Sequence, residues 1–339
     1  MSMMKALVLE EFGTDLVIRE VPVPRPGPGQ VLVRVAASGV NPLDTKIRQG
    51  DAAHARVSTP AVLGIDLAGE VVDVGPGADR SFRPGDEVYG MTGGVGGHQG
   101  SLAEFAAVDA DLLALKPRTL SMRDSAAVPL SVITAWEGLV DRADVGPGQR
   151  VLIHGGAGGV GHLAVQLARA RDASVWATDP GPGLTVIRNL GAEPIDIRRT
   201  SVAEYVNAAT DGEGFDVIFD TIGGETLDRS FTAVRLYTGH VVSTLGWGSH
   251  SLAPLSFRAA TYSGVFTLLP LLTGVGRARH GQILRAAAQL IDAGLMSPLV
   301  ASESYGWHSV MSAHRAVEAG SSGKVVVELD DPGPATQYT

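Results

Sequence analysis

Short runs that alternate apolar and polar positions, punctuated by Gly and Pro, fill the first third of the chain. KALVLEEF (5–12), LVIREVPVP (16–24), QVLVRVAASGV (30–40), AGEVVDVGPG (68–77), GDEVYGM (85–91) and AEFAAVDADLLALKP (103–117) carry the period-2 or continuous apolar character of strands. PRPGPGQ (24–30) and GPGADRSFRPGD (75–86) read as turn-rich connectors. This third is therefore expected to be a mostly β, strongly curved unit. From about Ser121 the spacing becomes helical, with Pro129 separating two helices. Strands and helices then alternate: RVLIHG (150–155), GHLAVQLARAR (161–171), ASVWATD (173–179), GLTVIRNLGA (183–192), FDVIFDTIGG (215–224), ETLDRSFTAVR (225–235) and GHVVSTLG (239–246). Such alternation predicts an α/β unit with a doubly wound parallel sheet. Two further helices, within 280–295 and 307–320, precede a closing strand, GKVVVEL (323–329), and a polar tail after Asp330.

The 339 residues suffice for about two domains. A net charge of -9, with no basic run longer than Arg198-Arg199, argues against nucleic acid and anionic membranes as partners. The most apolar stretch, 262–276, is short and broken by Pro270, so no membrane span is expected. The chain begins without a charged-then-apolar leader pattern, which makes the cytoplasm the expected compartment. With no cysteine, thiolate nucleophiles, Fe–S clusters and Cys-ligated zinc are excluded, and none of the nine histidines has metal-site spacing. No metal is expected.

The tetrapeptide GGVG occurs twice, and its flanks separate the copies. In 158–161 it follows a strand and opens a helix. Gly156, Gly158 and Gly161 complete G-x-G-x-x-G, with Gly159 and Val160 inside the turn. The first glycine is expected to make the tight turn, the second to admit a pyrophosphate and the third to let helix pack on strand. The helix start adds a positive dipole end. In 93–96 the same letters lie between two strands, with Gln99 where a third motif glycine would stand. That copy reads as a flexible hairpin-like loop, or alternatively as a cover over substrate.

The ordered set GVNPLDTKIRQG (39–50), PAVLGIDLAGEV (60–71), GSLAEF (100–105), AAVPLSVITAWEGL (126–139), VLIHGGAGGVG (151–161), DTIGG (220–224) and GKVVVEL (323–329) resembles the medium-chain dehydrogenase/reductase superfamily, in its zinc-free quinone-oxidoreductase-like (zeta-crystallin-like) branch. The resemblance covers nearly the whole chain. It implies a GroES-like catalytic domain over 1–124 and 297–339 and a Rossmann dinucleotide-binding domain over 125–296. Zinc-dependent relatives have a cysteine where this chain has Asn41, and Gly-His-Glu where it has Gly64-Ile65-Asp66; their four-cysteine zinc loop is missing. Without a Lewis acid for an alkoxide, the chemistry implied is hydride addition to a quinone or α,β-unsaturated carbonyl. A metal-free alcohol dehydrogenase and an NADPH-binding sensor or structural protein with little turnover are the alternatives.

The resemblance also implies roles by position. Asn41 and Asp44 would line the substrate cleft. Lys46, where relatives have tyrosine, would offer a charge to a developing enolate or lie in solvent. Thr134, Leu245, Gly246, Phe266 and Lys324 would approach the cofactor, and Asp220 would either serve the site or cap its loop. Asp179 ends its strand 18 residues past Gly161, where an acidic residue binds a ribose 2′-OH and favours NADH. The branch as a whole favours NADPH, for which this stretch offers Thr178 and, one turn into the next helix, Arg188. NADPH is the expectation, NADH the alternative. The apolar segment 261–272 is expected to form a sheet edge that pairs with a second copy in a homodimer.

Overall fold

Val151, Leu152 and Ile153 are buried without remainder in the strand Arg150–His154. A run apolar on both faces suits a strand covered on both sides, and this strand lies at the centre of a parallel sheet. The computed structural model describes residues 2–78 and 81–329. In it the sheet runs Glu193–Asp196, Ser174–Asp179, Arg150–His154, Val217–Asp220, His240–Ser243, Thr261–Gly264, with every neighbouring pair parallel. Numbered along the chain the order is 3-2-1-4-5-6, the doubly wound arrangement, and it reverses between Arg150–His154 and Val217–Asp220. The glycine-rich turn leaves the sheet at that reversal. Two of the elements here, the strand Glu193–Asp196 and the helix Val202–Thr210, were not among those expected from the pattern. The strand is only four residues long and contains Pro194, which hides its periodicity.

This sheet belongs to a compact unit formed by Ser131–Thr267 and Ala293–Leu299. The other unit comprises Met1–Leu130, Leu268–Asp292 and Val300–Thr339. It is built on two antiparallel sheets. One pairs Val17–Pro22, Met3–Leu9 and Ala61–Val62; the other orders Val325–Glu328, Gln30–Val40, Asp66–Val74, Glu87–Met91 and Leu113–Leu115, with Phe105–Asp109 also on Gln30–Val40. Register shifts at Leu32/Val33 and Val35/Ala37 bend the long strand, as a curved sheet requires.

The boundaries differ from the expected 124/125 and 296/297. The helix Arg277–Asp292, expected with the parallel sheet, belongs to the first unit. Tyr89 donates its hydroxyl proton to the Leu284 carbonyl at 2.6 Å, and a Cβ on Gly281 would sit 2.6 Å from the Asp111 carbonyl oxygen. Segment 261–272 is not one edge strand either. Only Thr261–Gly264 is extended, and Pro270, near the start of the helix Leu269–Thr273, supplies a φ suited to a first helical turn. The polar tail after Asp330, and Asp79 and Arg80 of the connector 75–86, lie outside the described residues.

The first GGVG is packed against neighbouring backbone over its first three residues. Gly93, Gly94 and Val95 are buried, and a Cβ on Gly93 would stand 1.9 Å from the Gln99 carbonyl oxygen. Gly94 has φ +71°, and the Gly96 N–H donates to the Ala55 carbonyl at 2.9 Å. At Gly93 and Gly94 the missing side chain is what permits this close backbone contact.

Candidate functional site

In the first unit the helix Pro42–Gln49 starts at Asn41, whose backbone N–H donates to Asp44 Oδ2 at 2.8 Å. Here the third helical residue caps the helix start with a carboxylate. Asn41 spends its side chain differently. Its Nδ2 donates to Asp66 Oδ2 at 3.0 Å, and its Oδ1 accepts from Lys324 Nζ. Asp66 opens its own strand, receives the Leu130 N–H on Oδ1 at 2.8 Å, and lies 3.8 Å from the ammonium. Asp66 is fully buried, and Asn41, Asp44 and Lys324 are at most 5% exposed.

Two carboxyls and one ammonium thus share one buried cluster. Burial is the largest influence on each. It pushes Asp44 up to about 7, against the Asn41 backbone N–H that favours its anion. Burial likewise raises Asp66 and lowers Lys324, while their mutual attraction opposes both shifts. One cation balances one anion, so the second carboxyl tends to keep its proton. Asp44 Oδ1 is buried without a hydrogen-bond partner among the described residues, which fits a carboxylic acid poised between its two states near neutrality. Lys46 stands apart: its side chain is exposed on the same helix.

In the second unit the turn after Arg150–His154 has φ +75° at Gly155, so the tight turn is made one residue earlier than the motif's first glycine. Gly156 serves close packing instead, because a Cβ there would meet the Ala177 Cβ at 2.4 Å on the adjacent strand. Gly161 plays its expected part: a Cβ would stand 2.0 Å from the Gly155 carbonyl oxygen, so only glycine lets the helix Gly161–Ala170 start against the strand. Gly158 and Gly159 are exposed, and the nearest atom to a Cβ on Gly158 is the Gly155 oxygen at 3.2 Å. Val160 is the N-cap, and no side chain caps the helix. This leaves an open glycine face ahead of a ten-residue helix, a surface suited to an anion.

The strand ends hold this turn. Thr178 is buried with its hydroxyl 3.0 Å from His154 Nδ1, so it braces the central strand. Burial pushes His154 down to about 4, leaving it neutral. Asp179 Oδ1 accepts the N–H groups of Gly181 and Gly183 at 3.0 and 2.8 Å. Asp220 caps its loop, accepting from the Ile222 and Gly223 N–H groups at 3.0 Å and from Ser243 Oγ at 2.7 Å. Ser243 Oγ also accepts the Leu245 N–H at 3.1 Å, fixing the backbone that leads to Gly246. Gly246 is exposed, and a Cβ there would lie 2.1 Å from the Tyr262 hydroxyl. Phe266 packs edge-on to Trp247 at 6.1 Å, and Thr134 is buried in the helix Pro129–Trp136. Lys324, expected to approach the cofactor, is buried in the first unit with Asn41 and Asp66.

Residues 27–118 match the alcohol dehydrogenase GroES-like domain, and residues 190–327 match the zinc-binding dehydrogenase domain. The chain is 33% identical over 96% of its length to the NADPH-dependent alkenal/one oxidoreductase, chloroplastic, of Arabidopsis thaliana, spanning 79% of that protein. A crystal structure of an alcohol dehydrogenase superfamily protein from Novosphingobium aromaticivorans superposes with a TM-score of 0.94 at 53% identity, over 96% of this chain and all of the other. The quinone oxidoreductase from Coxiella burnetii gives 0.81 at 26% identity, over 97% and 100%. The chain belongs to the medium-chain dehydrogenase/reductase family.

Its place is the zinc-free, quinone-oxidoreductase-like branch of medium-chain dehydrogenase/reductases, and it is an oxidoreductase using a nicotinamide cofactor. The open glycine face at Gly158–Gly159 and the close approach at Gly161 fit a dinucleotide pyrophosphate. Zinc does not fit. Where zinc-dependent relatives carry cysteine and Gly-His-Glu, this medium-chain dehydrogenase/reductase has Asn41 and Asp66 with the Lys324 ammonium already bonded to them. An amide oxygen, one carboxylate and a competing fixed cation are a poor donor set for that ion. Among the described residues no group of three or more His, Cys, Asp or Glu could hold a metal.

Proposed function

We propose that this chain is an NADPH-dependent reductase that delivers hydride to α,β-unsaturated carbonyls or quinones without zinc. The observation that carries the reading is the Lys324 ammonium between Asn41 and Asp66. A conjugated acceptor delocalises the charge that arrives with the hydride, so it needs hydrogen-bond donors and a proton rather than a Lewis acid. When bound, the dinucleotide supplies the hydride. The chain's own groups bind the pyrophosphate at Gly158 and Gly159 and hold a proton at Asp44. The names of the relatives, an alkenal/one oxidoreductase and a quinone oxidoreductase, support the same acceptor class.

The working form in this reading is a homodimer in the cytoplasm. The strand Thr261–Gly264 ends the parallel sheet with an exposed edge, which a second copy would cover. No described helix is long and apolar enough to cross a membrane. Initial rates of NADPH oxidation with enals, enones and quinones, with and without a chelator, test the reading. Turnover that survives chelation supports it; turnover abolished by chelation, or confined to alcohol oxidation, rejects it. Sedimentation tests the dimer.

A further inference from the structure

The strands Ser174–Asp179 and Glu193–Asp196 pair in parallel with Asp179 opposite Asp196, so the loops that follow both leave the sheet at the same edge. In open α/β sheets, ligands bind beyond the carboxyl ends of the strands. The first of these loops contains Gly181, at φ +122°, a conformation only glycine adopts readily. A Cβ at Gly181 would lie 1.7 Å from Arg198 Nη2 and 2.8 Å from Arg198 Cζ. The guanidinium from the second loop is therefore laid directly against the backbone of the first.

Arg198 is held there from below and left open above. Its backbone N–H donates to Asp196 Oδ1 at 3.0 Å, and its Nε lies 3.7 Å from the same oxygen. The side chain is 63% exposed, and neither terminal nitrogen has a partner among the described residues. Asp179, in contrast, has one carboxylate oxygen committed to the N–H groups of Gly181 and Gly183. The turn it braces abuts the pyrophosphate loop: a Cβ on Gly183 would meet both Asp179 Oδ2 and the Ala157 Cβ at 2.4 Å. Arg188, the cation expected from the sequence, lies in the last turn of the helix Leu184–Asn189, at the end remote from the loop.

The geometry points to Arg198 as the residue that recognises the adenosine 2′-phosphate and so sets a preference for NADPH in a chain whose strand ends in an acid. This rests on the NADPH reading above. The forked guanidinium offers two free nitrogens to a phosphate. Asp179 braces, through Oδ1, the turn against which the guanidinium lies. Neither Thr178, which is turned to His154, nor Arg188 competes for the role.

Titration calorimetry of the full chain with NADP+, NAD+ and adenosine 2′,5′-bisphosphate tests the assignment. Arg198→Ala is expected to weaken NADP+ and the bisphosphate about 10- to 100-fold, as loss of a charge-assisted phosphate pair does, and to leave NAD+ within about twofold. Arg188→Ala is expected to change none of the three, and Arg198→Lys to retain part of the discrimination. Circular dichroism melts confirm that these exposed substitutions leave the fold intact. Equal weakening of NAD+ and NADP+ in Arg198→Ala, or no weakening of NADP+, overturns the assignment. A wild-type chain that prefers NAD+ rejects the NADPH reading instead. In that case the bisphosphate arm still decides Arg198: Arg198-dependent binding upholds the assignment, and Arg198-independent or absent binding overturns it.

Discussion

Lys324 Nζ donates to Asn41 Oδ1 across 283 positions of the chain. That bond fixes which way the Asn41 amide faces, so that Nδ2 meets Asp66. The ammonium also holds the only positive charge among the four buried residues, and the behaviour of the two acids follows from it.

Removing the cation leaves buried carboxylates without compensation. Lys324→Met is expected to cost about 3–5 kcal/mol in urea unfolding, the usual penalty for breaking a buried pair from one side. Adding Asp66→Asn to that variant is expected to restore part of the loss. A double-mutant cycle showing no coupling between the two positions would refute the pairing.

Asp44 sets a pH dependence of the opposite sign to the usual carboxylate. Its folded pKa is raised from 3.8 to about 7. The stability it contributes is complete below pH 3.8 and is lost as pH rises toward about 7. Asp44→Asn keeps an acceptor for the Asn41 N–H and removes the titration. Relative to wild type the variant is expected to gain about 1.4 kcal/mol per pH unit across that window. Parallel curves for the two proteins would count against a proton held at Asp44. Any activity limb near pH 7 is expected to vanish in the same variant.

The acid side belongs to histidine. His314 is buried with neither ring nitrogen hydrogen-bonded among the described residues, and burial, reinforced by Arg48, pushes it down to about 4. A histidine kept neutral in the fold contributes stability above pH 6.5 that drains away as pH falls toward 4. His314→Leu is expected to flatten that limb by about 1.4 kcal/mol per pH unit. Chemical denaturation at pH 7 and pH 5 measures it, and an unchanged difference between the two would exclude His314 as a source.

The glycines of the dinucleotide turn are expected to separate by phenotype. Gly161→Ala forces a Cβ to within 2.0 Å of the Gly155 oxygen and should cost about 1–3 kcal/mol as overpacking does. Gly158→Ala meets no atom closer than 3.2 Å and should leave the melting temperature nearly unchanged while raising the Kd for the dinucleotide. The reverse pattern would mean that the two roles have been exchanged.

Most of the parallel sheet was legible in the sequence because its strands are continuous apolar runs and its glycine motif sits between strand and helix. Asn41 and Asp44 were also accessible, through a motif of twelve consecutive letters. The cluster was not, since what joins Lys324 to Asn41 and Asp66 is the antiparallel pairing of the closing strand with Gln30–Val40. No local pattern encodes a partner 283 residues away. The buried state of Gly93–Gly94 was missed for a related reason. A glycine that frees the backbone and a glycine that lets two backbones touch look the same until the second backbone is in place. In the sequence Arg198 is half of a short basic pair, and the loop at Gly181 is what gives it a neighbour.

The ammonium that balances the cluster arrives late in synthesis. Asn41, Asp44 and Asp66 leave the ribosome some 260 to 280 positions before Lys324. Until then, closing the first unit would mean burying two acids with no counter-ion, which costs several kcal/mol per unpaired charge. The nascent chain therefore has an electrostatic reason to keep that end of its antiparallel sheet wet and open. The parallel unit, whose residues all precede position 300, has its buried Asp220 satisfied by neighbours of its own and does not wait for Lys324.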